Sequence, residues 1–164
     1  MSRAFLALLL LATLTLALLL PVVSVGVVCV DGEVLALTLS EPVNVTLAYV
    51  HSVELYEVVE VYLVYVDRLE LARMVWRGFG AGLPSSTEDL RYLRYRYLEG
   101  VRVAEGVPIN ANTLLLQVKH MVSPKVLVNH REVHPREYLA LKVRVAASLV
   151  ELALGLARGY LCLR

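Results

Sequence analysis

The chain has 164 residues, and its 16 Lys and Arg nearly balance its 15 Asp and Glu, which leaves a formal net charge of +1. This balance excludes the basic surface that sequence-independent nucleic-acid binding requires. Hydrophobic residues make up 58% of the chain. This is above the usual share of a soluble domain, and much of the excess lies in residues 1–30. The composition indicates one ordinary domain behind an apolar N-terminal segment.

No charged residue occurs between Arg3 and Asp31. The Leu-rich stretch 4–23 predicts a membrane helix, because about 20 apolar residues cross the hydrocarbon core. A basic residue before this stretch and an acidic one after it favour a cytoplasmic N-terminus and a domain outside the cytoplasm. No A-x-A cleavage site precedes the domain, so an uncleaved anchor in the cell membrane is favoured over export after cleavage. Residues 1–24 are therefore predicted to be a signal anchor or a signal peptide.

Residues 25–145 predict a β domain. Two apolar runs flank Asp31-Gly32, which is the strongest hairpin signal in the chain. Apolar and polar residues alternate along Val43–His51, as in a half-buried strand. Val58–Val66 and Leu69–Trp76 predict a second hairpin. Turn signals recur, and no long helical period interrupts them. The predicted fold class is all-β, a small sandwich or partly open barrel behind an N-terminal membrane helix.

The C-terminal residues 146–164 are rich in Leu and Ala and carry few charges. They predict an apolar helical tail that packs on the domain or rests on the membrane surface. Cys29 and Cys162 stand near the two ends of the chain, and neither has a CxxC partner. Two buried thiols are the favoured interpretation. A disulfide between them stays open if the compartment is oxidising.

Three short motifs carry a family resemblance. The chain contains His51-Ser52-Val53-Glu54, then Glu57 or Glu60 with Tyr62, and then Gly80-Ala81-Gly82-Leu83-Pro84. In the order and separation of these motifs it resembles a domain-of-unknown-function family, DUF1850, over residues 27–145. The chain departs from the family pattern directly after the first motif, where Leu55-Tyr56 replaces a turn that usually contains proline.

The resemblance implies a short anchored or exported protein without an established activity. Members of the family are often found beside transporters of the tripartite type, which combine membrane subunits with a solute-binding subunit. By analogy, the resemblance implies an accessory role in uptake, with the membrane and one of these subunits as partners. The residues expected to bind the partner or a ligand are His51, Ser52, Glu54, Glu60, Gly80, Gly82 and Pro84.

Catalytic alternatives are weaker. His51 and Ser52 are neighbours, and neighbours on a strand point to opposite faces, so they cannot form a nucleophile and base pair without a bulge. His51 with Glu54, Glu57 and Glu60 would make a metal-assisted hydrolase only if the chain bends, because Glu54 and Glu60 lie about 20 Å apart on a straight strand. The simpler interpretation is a strand-end histidine bonded to a nearby carboxylate, with the glutamates in solvent.

No other sequence pattern predicts a stronger metal-binding or phosphate-binding site. His130 and His134 have zinc-like spacing but stand in a turn that ends at Pro135, which favours surface histidines. The glycine run from Gly78 lacks the Lys-Ser/Thr of a phosphate-binding loop, and a structural role is favoured over recognition. No catalytic residue, metal or cofactor is therefore predicted. The remaining alternative to an accessory module or a hydrolase is a structural envelope protein.

Overall fold

The computed structural model describes residues 3–19, 21–78, 96–98, 101–148 and 160–163. These residues form two helices and eleven strands. The elements are α1 (Arg3–Leu19), β1 (Pro21–Val30), β2 (Glu33–Thr38), β3 (Val43–Val50), β4 (Glu57–Val64), β5 (Leu69–Trp76), β6 (Arg96–Leu98), β7 (Val101–Ile109), β8 (Thr113–Leu116), a 3₁₀ turn (Val118–His120), β9 (Val122–Val128), β10 (Arg131–Val133), β11 (Leu139–Ser148) and α2 (Tyr160–Leu163).

The strands form two antiparallel sheets. The four-stranded sheet has the order β2-β1-β11-β8, and the seven-stranded sheet has the order β10-β9-β3-β4-β5-β7-β6. An apolar layer packs between the sheets, and Val28, Leu47, Val64 and Leu141 are fully buried in it. The predicted all-β class is therefore confirmed. It takes the form of two separate sheets, and the described strands do not close into a barrel.

The alternation of apolar and polar residues predicts the buried face of β3 correctly. Val43, Val45 and Leu47 are buried in the layer between the sheets, as the pattern over Val43–His51 predicts. β4 and β5 form the predicted second hairpin. β4 is central in the seven-stranded sheet, with β3 on one side and β5 on the other. This central strand carries the candidate site residues that lie inside the sandwich.

The first predicted hairpin is also confirmed, and Asp31 does more than form its turn. Asp31 and Gly32 both have positive φ, 49° and 87°, as the turns favoured in two-residue hairpins require. The Asp31 carboxylate accepts hydrogen bonds from the backbone N–H groups of Arg136, Glu137 and Tyr138 at 2.7, 2.9 and 3.1 Å. The β1–β2 turn is thereby fixed to the segment that leads into β11.

The N-terminal helix is shorter than the predicted membrane stretch 4–23. It ends at Leu19, and Pro21 already begins β1, where it pairs with Ser148 of β11. Proline has no N–H group and ends the helix, and the β-favouring residues after it continue the strand. In the part of the chain that the structure describes, no helix is long and apolar enough to cross a membrane.

The C-terminal prediction needs two corrections. Residues 146–148 belong to β11, and helix is described only at Tyr160–Leu163, so a continuous helical tail over 146–164 is not shown. Cys29 and Cys162 form a disulfide with their Cα atoms 5.8 Å apart, so the preference for two buried thiols was wrong. Leu161 is fully buried beside this bond, against an apolar cluster on the outer face of the four-stranded sheet.

Removing the disulfide is expected to destabilise the fold. The bond joins residues 133 positions apart, and closing so long a loop typically contributes about 2–4 kcal/mol. The paired variant Cys29→Ala with Cys162→Ala should lose this amount in urea unfolding. The fluorescence of Trp76, the single tryptophan and a fully buried one, can report the transition. A reductant should lower the urea midpoint of the wild-type protein and leave that of the paired variant unchanged. If the two proteins have equal urea midpoints without reductant, the disulfide does not have this role.

The Asp31 carboxylate is expected to stabilise the fold only above acidic pH. Burial raises its pKa, but the three backbone N–H donors and the charge of Arg136 outweigh this effect and lower it. A lowered folded pKa gives stability that is present above the unfolded pKa and lost as pH falls through the folded pKa. Because the side chain is exposed, Asp31→Asn should cost only about 1 kcal/mol at pH 7.

This cost should shrink as pH falls below the usual aspartate range, which urea unfolding at pH 7 and pH 3 measures. Glu33→Gln, an exposed carboxylate in the same hairpin, is the control and should change stability little. A loss for Asp31→Asn that persists unchanged in acid would count against the ionised carboxylate.

Candidate functional site

The first motif forms a closed turn between β3 and β4. The N–H of His51 donates to the carbonyl of Tyr56 at 2.9 Å, and the N–H of Leu55 donates to the carbonyl of His51 at 2.9 Å. His51 is only 9% exposed. The segment 52–55 therefore projects from the sheet as a turn with hydrogen bonds at its base. We call residues 51–56 the His51 turn.

The imidazole of His51 also stabilises this turn. Its Nδ1 accepts a hydrogen bond from the backbone N–H of Glu54 at 3.2 Å. Its ring stacks on Tyr56 with 5.7 Å between centroids. An Nδ1 that accepts a hydrogen bond carries no proton, so a neutral ring holds its proton on Nε2. His51 directly follows β3, as predicted for a strand-end histidine, and its Nδ1 bonds the backbone N–H of Glu54.

The tip of the turn exposes two apolar side chains. Val53 is 71% exposed and Leu55 is 75% exposed. Ser52 and Glu54, both predicted site residues, are exposed on either side of Val53. Leu55 has a φ of 55°, a left-handed conformation that costs a leucine about 1–2 kcal/mol. The base of the turn maintains this strained conformation, and with it the exposed apolar surface.

Glu60 lies elsewhere, on the inner face of β4. Its two carboxylate oxygens accept hydrogen bonds from the hydroxyls of Tyr62 at 2.7 Å and Tyr49 at 3.2 Å. Burial raises the pKa of Glu60, and the two hydroxyl donors only partly oppose this effect. Burial, followed by the negative charge of Glu60, raises the pKa of both tyrosines. The result is a half-buried carboxylate between two neutral phenols.

The geometry explains why one member of this group was missed. Glu60 and Tyr62 are two residues apart on a strand and share a face, so the second motif brings them together locally. Tyr49 reaches Glu60 from β3, where Leu47 is the direct cross-strand partner of Glu60. Finding Tyr49 from sequence requires the register between β3 and β4, which no local pattern provides.

The predicted patch is therefore divided. His51, Ser52 and Glu54 lie in the turn, while Glu60 lies inside the sandwich, about 10 Å further along β4 than Glu57. Glu57 itself is exposed at the start of that strand. Within the described ranges, no group of three His, Cys, Asp or Glu side chains is arranged to hold a metal ion.

The glycine run begins against the turn. Gly78 packs so closely on Tyr56 that an added Cβ would lie 2.6 Å from the tyrosine Cε1 atom. Any side chain here would collide with the ring that stacks on His51, which supports the predicted structural role for Gly78. Gly80, Gly82 and Pro84, the other predicted site residues, lie outside the described residues. His130 and His134 are exposed, as predicted.

Residues 45–134 match the profile of a family described as a domain of unknown function, DUF1850. The chain belongs to the DUF1850 family. The match covers more than half of the chain and includes the His51 turn, Glu60 and Tyr62, so the resemblance stated from the motifs is confirmed. No curated protein and no solved structure matches the chain significantly. The description of the family names no activity.

Neutralising Glu60 is expected to stabilise the protein at high pH. Because the folded pKa is raised, the unfolded chain loses its proton first as pH increases, and the folded state loses stability from the usual glutamate range upward. Glu60→Gln removes this charge and should gain about 1 kcal/mol at pH 8, with little change at pH 4. Urea midpoints at both pH values measure this, with exposed Glu57→Gln as the control. A loss at pH 8 would show that the charged carboxylate stabilises the fold.

Proposed function

We propose that this protein is a membrane-anchored extracytoplasmic binding module, accessory to a solute transporter of the tripartite type. The observation that carries the proposal is the His51 turn, which holds Val53 and Leu55 exposed on a base fixed by hydrogen bonds. Among the described residues, Val53 and Leu55 are the most exposed of the large apolar side chains, and apolar surface on an ordered loop favours contact with another protein. In this proposal the turn is the surface that contacts a transporter subunit, and the choice of a transporter rests on the family resemblance.

The proposed compartment draws support from the two ends of the chain. Structural disulfides persist in oxidising compartments and are rare in the cytosol, so the Cys29–Cys162 bond favours a domain outside the cytoplasm. The uncharged, Leu-rich run from Ala4 to Leu19, which follows Arg3, favours an anchor with its N-terminus inside. Together these features support a β domain presented at the outer face of the cell membrane.

A binding role fits the described chemistry better than a hydrolytic one. His51 Nδ1 accepts a hydrogen bond from the backbone, and Glu60 is bonded to two tyrosines inside the sandwich. These groups serve packing and turn geometry. A metal-assisted hydrolase would need them to converge on one ion, and in the described part of the chain Glu60 lies inside the sandwich, apart from the His51 turn.

Replacing the apolar tip is expected to abolish capture of the transporter. The variant Val53→Ser with Leu55→Asn removes both apolar side chains, and asparagine tolerates the left-handed backbone at position 55. Affinity capture from native membranes in mild detergent should retain a transporter membrane or solute-binding subunit with the wild-type protein. Capture by the variant should fall about tenfold, which is a loss of about 1.4 kcal/mol in binding.

Three further variants make this experiment specific. Leu39→Ser with Leu115→Ser also removes two exposed apolar side chains, at sites away from the turn, and should capture normally. His51→Asn keeps a short acceptor for the Glu54 N–H, so it should capture better than His51→Ala. If the wild-type protein retains no transporter subunit, or if the tip variant captures as well as the control, the proposed function fails.

A further inference from the structure

A polar cleft lies at the opposite end of β4 from the His51 turn. Its volume is about 360 Å³, and it is lined by Asp67, Arg68, Asn110, Asn112 and Arg144, with Ile109 and Ala111 between them. β4 runs from Glu57 to Val64, so the two features are separated by about 23 Å. The cleft is therefore independent of the surface proposed to bind a transporter.

Backbone hydrogen bonds between both sheets shape the cleft. The N–H of Arg144 on β11 donates to the carbonyl of Val66, in the β4–β5 turn, at 2.7 Å. The adjacent N–H of Val143 donates to the carbonyl of Asn112, in the β7–β8 connection, at 2.9 Å. These bonds join three separate segments around Arg144. The walls are fixed before any ligand arrives, which reduces the entropy lost on binding.

Arg144 is placed in the cleft by a β-bulge. Val25 pairs with Val145 and Val27 pairs with Lys142, so Gly26 faces two residues of β11, Val143 and Arg144. Arg144 has a φ of 56°, which is unusual for a long side chain. Bulges redirect side chains and occur often beside functional sites. The bulge leaves Val143 in the apolar layer between the sheets while Arg144 is exposed in the cleft.

Gly26 makes room for this arrangement. A Cβ atom at Gly26 would lie 2.3 Å from the carbonyl oxygen of Tyr65, so no other residue permits this approach of the two sheets. The contact brings the β4–β5 turn, with Asp67 and Arg68, next to the bulge on β11. Because Gly26 on β1 permits this contact, Arg68 and Arg144 line the same cleft.

Arg68 is held by its neighbours. Its guanidinium lies 3.6 Å above the ring centroid of Tyr65, and its Nη1 atom is 3.4 Å from the carboxylate of Asp67. Stacking on an aromatic ring holds the planar guanidinium in position. The cleft thus contains two permanent positive charges, one carboxylate and two carboxamide side chains that can donate hydrogen bonds. Its net charge favours an anion.

We propose that this cleft binds a small oxyanion, a carboxylate or phosphate group, between the guanidinium groups of Arg68 and Arg144. Guanidinium groups match both kinds of oxyanion with paired hydrogen bonds. Asn110 and Asn112 donate from the side of the β7–β8 connection. Asp67 accepts from Arg68 in the free protein and competes with the ligand for that guanidinium. The same chemistry is presented by a soluble organic acid, by free phosphate and by a phospholipid headgroup.

The test is isothermal titration calorimetry on the full chain, with its disulfide intact, in a non-ionic detergent. The probes are inorganic phosphate and succinate, and a parallel assay measures sedimentation with vesicles of phosphatidylglycerol or phosphatidylcholine. Arg68→Gln and Arg144→Gln should each weaken binding at least about tenfold, the loss of one charge-assisted contact. Arg131→Gln removes the same charge from exposed β10 and should change binding less than about twofold, since isolated surface charges contribute little.

The variant Asp67→Asn is expected to change the affinity for the ligand in the opposite direction. Removing the competing carboxylate should tighten binding about three- to tenfold, a gain that general damage to the fold would not produce. Arg68 is half-exposed, so its variant should fold normally, and Trp76 fluorescence unfolding confirms this. Arg68→Gln therefore decides the test even if Arg144→Gln unfolds.

Binding of phosphate or succinate that depends on Arg68 supports the proposal and indicates a soluble ligand. Binding only to phosphatidylglycerol vesicles, with the same dependence, supports it and indicates a lipid headgroup. The proposal is overturned if no probe binds saturably, or if Arg131→Gln weakens binding as much as Arg68→Gln.

Discussion

The Cys29–Cys162 bond determines how the four-stranded sheet is buried. It fixes α2 on the outer face of that sheet, where Leu161 joins a cluster with Val25 and Val27. Val28, on the inner face of the same strand, packs toward the seven-stranded sheet. β1 is thus buried on both faces. Each fully buried valine contributes about 1.5–3 kcal/mol relative to an exposed one, and on the outer face this gain depends on the covering segment.

Lys142 shows how closely α2 is fitted. It is a buried lysine on β11, and its ammonium group donates to the carbonyl of Cys162. Burial lowers its pKa. A cation at the C-terminal end of a helix bonds carbonyl groups that have no partner within the helix. The same short helix therefore has a covalent bond, an apolar contact and a charged hydrogen bond to β1 and β11.

Local patterns were sufficient for the features that depend on neighbouring residues. Asp31-Gly32 defines its own turn, alternation defines the buried face of β3, and the two-residue spacing of Glu60 and Tyr62 places them together. Tyr49 could not be assigned, because its contact depends on strand register. The disulfide could not be chosen over free thiols, because the cysteines lie 133 positions apart and only the folded chain brings them together.

Arg144 illustrates a deeper limit of sequence reasoning. In the run Lys142–Val145 the residues continue a strand-like pattern, and nothing in the sequence marks a bulge between them. The bulge follows from the approach of Gly26 to Tyr65, residues that lie far from position 144 along the chain. It is a tertiary constraint imposed on β11 by β1 and by the β4–β5 turn.

Positive φ occurs at both proposed binding surfaces, at Leu55 and Arg144, and also at Ser123 on β9 and at His130. Asp31 and Asn129 also have positive φ, but these residue types tolerate it in turns. Leu55 and Arg144 do not, and neighbouring hydrogen bonds hold each of them in place. Such strain lowers stability and persists where the surroundings impose it, often at ligand and contact sites. Leu55 presents an apolar tip and Arg144 a guanidinium at opposite ends of β4, so one rigid strand keeps two chemically different surfaces apart.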